Sequence, residues 1–200
     1  MIFPAITRRY IDFLKFLGGQ RSKLSVSALG LYRATVAAAR APGFYAIHGV
    51  PDTPDGRFDL IALHVFLVLR RLKREPGPAE AQASELAQAL TDLMFADMDR
   101  NLREMGVGDL AVGKQVKALA AAFRGRVAAY DAALERSDGD PGLALALGRN
   151  LYRGAGQAEG KGLARLAHHV RAADAALAAL PWSALTAGNA VFPPPPDTTD

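Results

Sequence analysis

Leu86, Leu90, Met94, Met98, Leu102 and Met105 recur at steps of 4, 4, 4, 4 and 3, the spacing of a single face of an α-helix. Val112, Val116, Leu119, Phe123, Val127, Tyr130 and Leu134 then recur at 4, 3, 4, 4, 3 and 4. Between the two stripes, Gly106 stands where a helix-ending glycine belongs and Asp109 where an N-cap belongs. The pattern predicts helices over about 79–105 and from 109 onward, joined by Gly-Val-Gly into an αα-hairpin.

The same periodicity predicts a helix from about Ser25 to Arg40, ended by Pro42-Gly43, and another from about Arg57 to Arg74. The second is apolar nearly all round between Leu60 and Leu69, the mark of a buried central helix. Two prolines and two glycines between Phe44 and Gly56 argue for turns, with the aromatic pair Phe44-Tyr45 plugging a core edge. Pro76-Gly77-Pro78 is a helix-helix loop. Shorter stripes predict helices at about 143–152 and 163–180. Alternating β-branched runs are absent, so the fold class is all-α: a single compact helical domain of about six to seven helices with a central buried helix and the αα-hairpin. Three regions follow: an amphipathic N-terminal helix (1–19), the helical domain (20–181), and a Pro-rich tail (182–200) expected to be extended and disordered.

Composition narrows the chemistry. The 200 residues contain no cysteine, which excludes disulfides, thiolate metal sites and thiol catalysis. The net charge of +4 is uneven: residues 1–75 hold 12 Lys+Arg against 5 Asp+Glu, and residues 76–140 hold 7 against 11. The basic first third suits an anionic surface. In the opening helix, Phe3, Ile6, Tyr10 and Phe13 with Arg8 and Arg9 form a candidate membrane-surface face. No apolar run approaches the roughly 20 residues needed to span a bilayer.

The polar residues of the hairpin fit no familiar chemistry. Gly108 to Lys114 has the spacing of a phosphate-binding loop, but Gln115 replaces the required hydroxyl and no strand precedes it. Asp92, Asp97, Asp99 and Glu104 lack the Glu-x-x-His motifs of metal-binding bundles, so no metal is expected. Asp99–Arg103 and Arg100–Glu104 have ion-pair spacing. His64 is expected to be buried and hydrogen-bonded, and the adjacent His168 and His169 to face different ways. No nucleophile–base arrangement exists, so no enzyme and no cofactor is expected. Lys114, Lys117 and Arg124 form a basic stripe, but no interleaved aromatics or reader module point to DNA.

A longer pattern remains. The string through Arg40, Pro42, Phe44, Tyr45, Gly49, Val50, Pro51, Asp52 and Thr53, then Gly56-Arg57-Phe58-Asp59 to Leu63-His64, resembles the ubiquinol–cytochrome c chaperone family. So do Met94 to Lys114 and Arg149-Asn150-Leu151-Tyr152, and the resemblance spans about Tyr32 to Arg153. It implies a non-catalytic assembly factor of the cytochrome bc1 complex that binds newly made cytochrome b. In mitochondria such proteins act near the ribosome exit at the inner membrane, with a small partner protein. Lacking an Arg/Ser-rich leader, this chain is expected to be a bacterial relative, cytoplasmic and peripheral on the inner face of the cytoplasmic membrane. The implied partners are apo-cytochrome b or an early bc1 assembly intermediate, with the ribosome or an anionic membrane surface as further contacts. Arg57, Asp97, Asp99, Arg103, Glu104, Lys114 and Lys117 are the candidate partner-binding residues. The alternative reading is a membrane-surface module that binds lipid or quinone.

Overall fold

The computed structural model describes residues 19–136, 141–152 and 161–196. The N-terminal membrane-surface candidates Phe3, Ile6, Arg8, Arg9, Tyr10 and Phe13 lie outside them. Among the described residues the regular structure is entirely helical: α1 (Gly19–Ala39), α2 (Pro42–Ala46), α3 (Pro54–Lys73), a 3-10 turn (Gly77–Ala79), α4 (Glu80–Glu104), α5 (Asp109–Glu135), α6 (Pro141–Leu151), α7 (Lys161–Ala178) and α8 (Trp182–Thr186). The chain is a single all-α domain.

Helix α3 is the hub. Residues 58–68 are buried without interruption, and α3 packs against α1, α4, α5, α6 and α7. That surround is why its sequence shows no polar face. It starts three residues earlier than the periodicity indicated. Thr53 is the N-cap, its Oγ1 accepting from the Gly56 amide at 3.1 Å, and Pro54 takes the first helical position, where a missing N–H costs nothing.

The predicted hairpin is present as α4 and α5. Leu86, Leu90, Met94, Met98 and Leu102 are buried, and Phe95 meets Phe123 edge-on at 6.0 Å. Gly106 closes α4 with φ of 82°: its amide bonds the Arg103 carbonyl, and the Val107 amide bonds that of Leu102. This is the Schellman arrangement, which favours glycine. Asp109 does not cap α5. Gly108 holds that position, and Asp109 is the first helical residue, where its carboxylate suits the helix dipole and pairs with Arg103. Arg100 lies 4.0 Å from Asp97, its i−3 neighbour.

Two further expectations are corrected. Pro42–Ala46 forms one helical turn, because proline is compatible with a first turn, and it carries Phe44 into the core at 1% exposure. The Pro-rich segment is not a disordered tail through its described part. It forms α8, with Leu185 buried, and then a strap over α1, α2 and α3. Gly188 lies against Gly30, Phe192 meets His64 edge-on at 5.1 Å, Pro195 lies against Gly43, and the Pro196 carbonyl accepts from His48 Nε2 at 2.8 Å. Proline needs no internal backbone bonds in an extended strap, so single anchors suffice where a helix would show a stripe.

Candidate functional site

Near the hairpin corner lies an open cleft of about 550 Å³. Its floor and walls come from three helices. The start of α3 supplies Pro54, Asp55, Arg57, Phe58 and Ile61. The end of α4 supplies Met98, Asn101, Leu102, Glu104 and the following Met105. The first half of α5 supplies Gln115, Ala118, Leu119 and Ala122, and Arg40, just after α1, completes it. The space exists because α5 presents Ala118 and Ala122 on either side of Leu119, where larger residues would close the gap against α4. The lining is apolar with a few polar groups, and its volume falls within the roughly 300–1,000 Å³ typical of binding clefts.

Exposed apolar groups stand at the corner. Met105 is 53% exposed, and Leu110, in the first turn of α5, is fully exposed. The α4 stripe was expected to bury Met105; it ends one turn sooner, because Gly106 turns the chain away after Leu102. Exposed leucines occur singly on many surfaces, but here one stands at the corner beside a cleft with an apolar lining.

The seven partner-binding candidates separate into distinct roles. Arg57 and Glu104 line the cleft. Arg57 holds Asp52 at 2.6 Å; that hydrogen bond lowers the Asp52 pKa and raises that of Arg57. Asp97 accepts from the Tyr32 hydroxyl at 2.8 Å, joining α4 to α1. Burial, and then the Asp97 carboxylate, push that phenol well above its ordinary pKa. Arg103 bonds Asp99 at 2.7 Å and also Asp109, fastening the two helices at their turn. Asp97, Asp99 and Arg103 therefore have structural work within the hairpin. Lys114 and Lys117 are exposed on α5, each immediately before a cleft residue, Gln115 and Ala118.

The cleft's apolar members were missed as a site because Met98, Leu102 and Leu119 belong to the helical stripes that spell core. The sequence signal was the alanine pair beside Leu119. The two histidine expectations hold: His64 is 2% exposed with Nδ1 2.8 Å from the Leu60 carbonyl, while His169 is buried and His168 exposed. No group of three metal-ligating side chains converges among the described residues, and none of the described helices is long and apolar enough to cross a membrane.

Residues 46–192, from the end of α2 to the strap, match the family model of the ubiquinol-cytochrome C chaperone. The chain belongs to this family. Its members are assembly factors of the cytochrome bc1 complex. The match includes every cleft residue except Arg40, and it reaches Phe192, beyond the Arg153 limit read from the sequence. Ubiquinol-cytochrome c reductase complex assembly factor 1 of Mus musculus is 28% identical over 130 residues, covering 65% of this chain and 42% of that protein. The Drosophila melanogaster protein of the same name is 24% identical over 148 residues, covering 74% and 56%. The chain thus spans about half the length of these curated relatives. The crystal structure of the Cbp3 homolog from Brucella abortus superposes with a TM-score of 0.75 at 37% identity, covering 90% of this chain and 96% of that one.

Proposed function

We propose that this chain is a non-catalytic assembly factor that holds newly made cytochrome b, free or in an early bc1 intermediate, by the hairpin cleft. The observation that carries this reading is the cleft itself: open, apolar inside, edged by charges and built almost wholly from the family-matched part of the chain. An unassembled membrane subunit displays apolar helix faces, and such a cleft can shield one side-chain row while the charged rim sets orientation. Arg57, Glu104, Lys114 and Lys117 are the rim in this proposal. Asp97, Asp99 and Arg103 keep the hairpin corner in shape. A client of this kind places the protein in the cytoplasm, peripherally at the inner face of the membrane.

The test is capture of partners by the tagged full chain from membranes that are making the bc1 complex. Cytochrome b should co-purify, and Ala118→Trp, which fills the cleft from an exposed helix position, should abolish the capture. A partner set that is purely ribosomal or soluble would overturn the proposal.

A further inference from the structure

The charge along the α5 edge of the cleft has one sign. From Leu110 to Tyr130, α5 carries Lys114, Lys117, Arg124 and Arg126 and no acid. Arg126 is taken up by the buried Asp59 at 2.6 Å. Lys114 and Lys117 are exposed and have no ion pair among the described residues. Two acids of the opposite wall are engaged elsewhere. On α4, Asp97 holds Tyr32 and Asp99 holds Arg103. Of the cleft-lining cations, Arg57 is taken up by Asp52, and Arg40 stands with the acids Asp55 and Glu104. Lys114 and Lys117 are the cations without an ion pair along the α5 edge, among the described residues.

The backbone of the cleft adds a second constraint. Its walls are α-helices, whose N–H and C=O groups are bonded within each helix, so an extended peptide would find no ladder of partners there. An occupant with its own backbone satisfied can enter: a helix that inserts side chains from one face. The apolar lining asks for large aliphatic or aromatic residues on that face, at i, i+3 or i+4, and i+7.

We infer that the cleft takes an acidic amphipathic helix, its apolar row on Phe58, Ile61, Leu102 and Leu119 and its Asp or Glu residues facing Lys114 and Lys117. This rests on the client-holding reading above and adds to it the sign and the conformation of the segment held. A client helix end rich in Lys or Arg is rejected by the same edge, because like charges brought together without solvent cost binding.

The inference is tested on the full chain with two fluorescein-labelled helical peptides of about five turns. Both carry leucine at i, i+4 and i+7; one has Glu along the edge and the other Lys at the same positions. By fluorescence anisotropy the Glu peptide should bind roughly tenfold more tightly at low salt, and the gap should narrow as salt rises. Lys114→Glu with Lys117→Glu, both exposed changes checked by circular dichroism, should reverse the preference. Ala118→Trp should remove binding of both peptides. Equal affinity for the two, tighter binding of the Lys peptide, or binding indifferent to Ala118→Trp would overturn the inference. Its failure is separable from that of the proposed function. Capture of cytochrome b that is lost in Ala118→Trp but unmoved by the lysine reversal overturns the acidic-helix inference and leaves the client reading standing. Peptide discrimination without any capture of cytochrome b supports the inference and overturns the client.

Discussion

Asp59 and Arg126 meet at 2.6 Å, with the Asp59 side chain wholly buried. They join α3 to α5, the floor of the cleft to one of its walls, and the Arg126 guanidinium also lies 5.6 Å from the centre of the Phe58 ring. A carboxylate taken out of water is tolerable only with its counter-ion in place.

Arg126→Met should therefore cost about 3–5 kcal/mol of stability, measured by urea unfolding, because it removes the Arg126 counter-charge from the buried Asp59. Asp59→Leu combined with Arg126→Met removes both charges and should recover most of that loss. A double variant no more stable than the single one would show that the ion pair is not the reason.

Arg70 is the second buried cation, its side chain 3% exposed. Its fork bonds Asp131, Glu135 at 2.7 Å and Asp174 at 3.3 Å, clamping α3 to α5 and α7. Burial works against the Arg70 charge, yet the three acids, Glu135 foremost by its hydrogen bond, raise its pKa on balance. Arg70→Met should cost about 1–3 kcal/mol, since Asp131, Glu135 and Asp174 lose their buried partner and keep only the more exposed Lys73 and Arg74. Arg70→Lys should fall in between, keeping the charge but losing the planar fork. Added salt should restore part of the loss in Arg70→Met, by screening the acids, and change the wild type little. A salt response equal in both proteins would rule out repulsion as the cause.

What the sequence revealed and what it hid follow from this contrast. The stripes Leu86 to Leu102 and Leu166, Val170, Ala173 and Leu177 are buried as their spacing requires, because helical periodicity is a local property. By its place in the last turn of α3, Arg70 reads as an ordinary helix-end cation suited to the dipole. Its partners lie 61 to 104 residues away in the chain, and no local pattern announces them. The same is true of Tyr32 and Asp97. The cleft was half legible: Arg57 and Glu104 stood out as charges, whereas its apolar lining was indistinguishable from core. The strap was hidden because its anchors, Gly188, Phe192 and Pro195, act one at a time.

The strap yields a prediction from glycine geometry. Gly188 turns with φ of 79° and lies so close to α1 that a Cβ on Gly30 would stand 2.6 Å from its carbonyl oxygen. Backbone cannot yield as a flexible side chain can. Gly30→Ala should destabilise by about 1–3 kcal/mol, a fall in Tm of roughly 2–4 °C per kcal/mol. Gly125→Ala, in mid-helix on α5 with open space around it, should instead stabilise by about 0.5–1 kcal/mol. Removal of residues 187–200 should reproduce the direction of the Gly30→Ala effect and unshield His64. If thermal melts place Gly30→Ala level with the wild type, the strap does not contribute to stability.

Beneath the strap, burial sets a pH limit. His64 and His169 both pack on the Phe44 ring, at centroid distances of 5.5 and 5.4 Å, and burial lowers the pKa of each to about 4. The Leu60 carbonyl bonded to His64 works against this, but His169 disfavours charge on His64, and His48 and His168 disfavour it on His169. In the unfolded chain both histidines return to about 6.5. The folded state thus refuses protons that the unfolded state accepts, so the stability they confer is complete above pH 6.5 and is lost as pH falls from 6.5 toward 4. With both sites protonated only when unfolded, the slope approaches about 2.7 kcal/mol per pH unit. His64→Leu with His169→Leu should flatten the urea midpoint over this window. A separate, shallower loss at lower pH should survive in the double variant, because Arg70 holds the Glu135 pKa below its ordinary 4.5 and that contribution is lost only as the carboxylate protonates. A wild-type midpoint that stays constant from pH 6.5 to 5 would show that these rings are not neutral and shielded in solution.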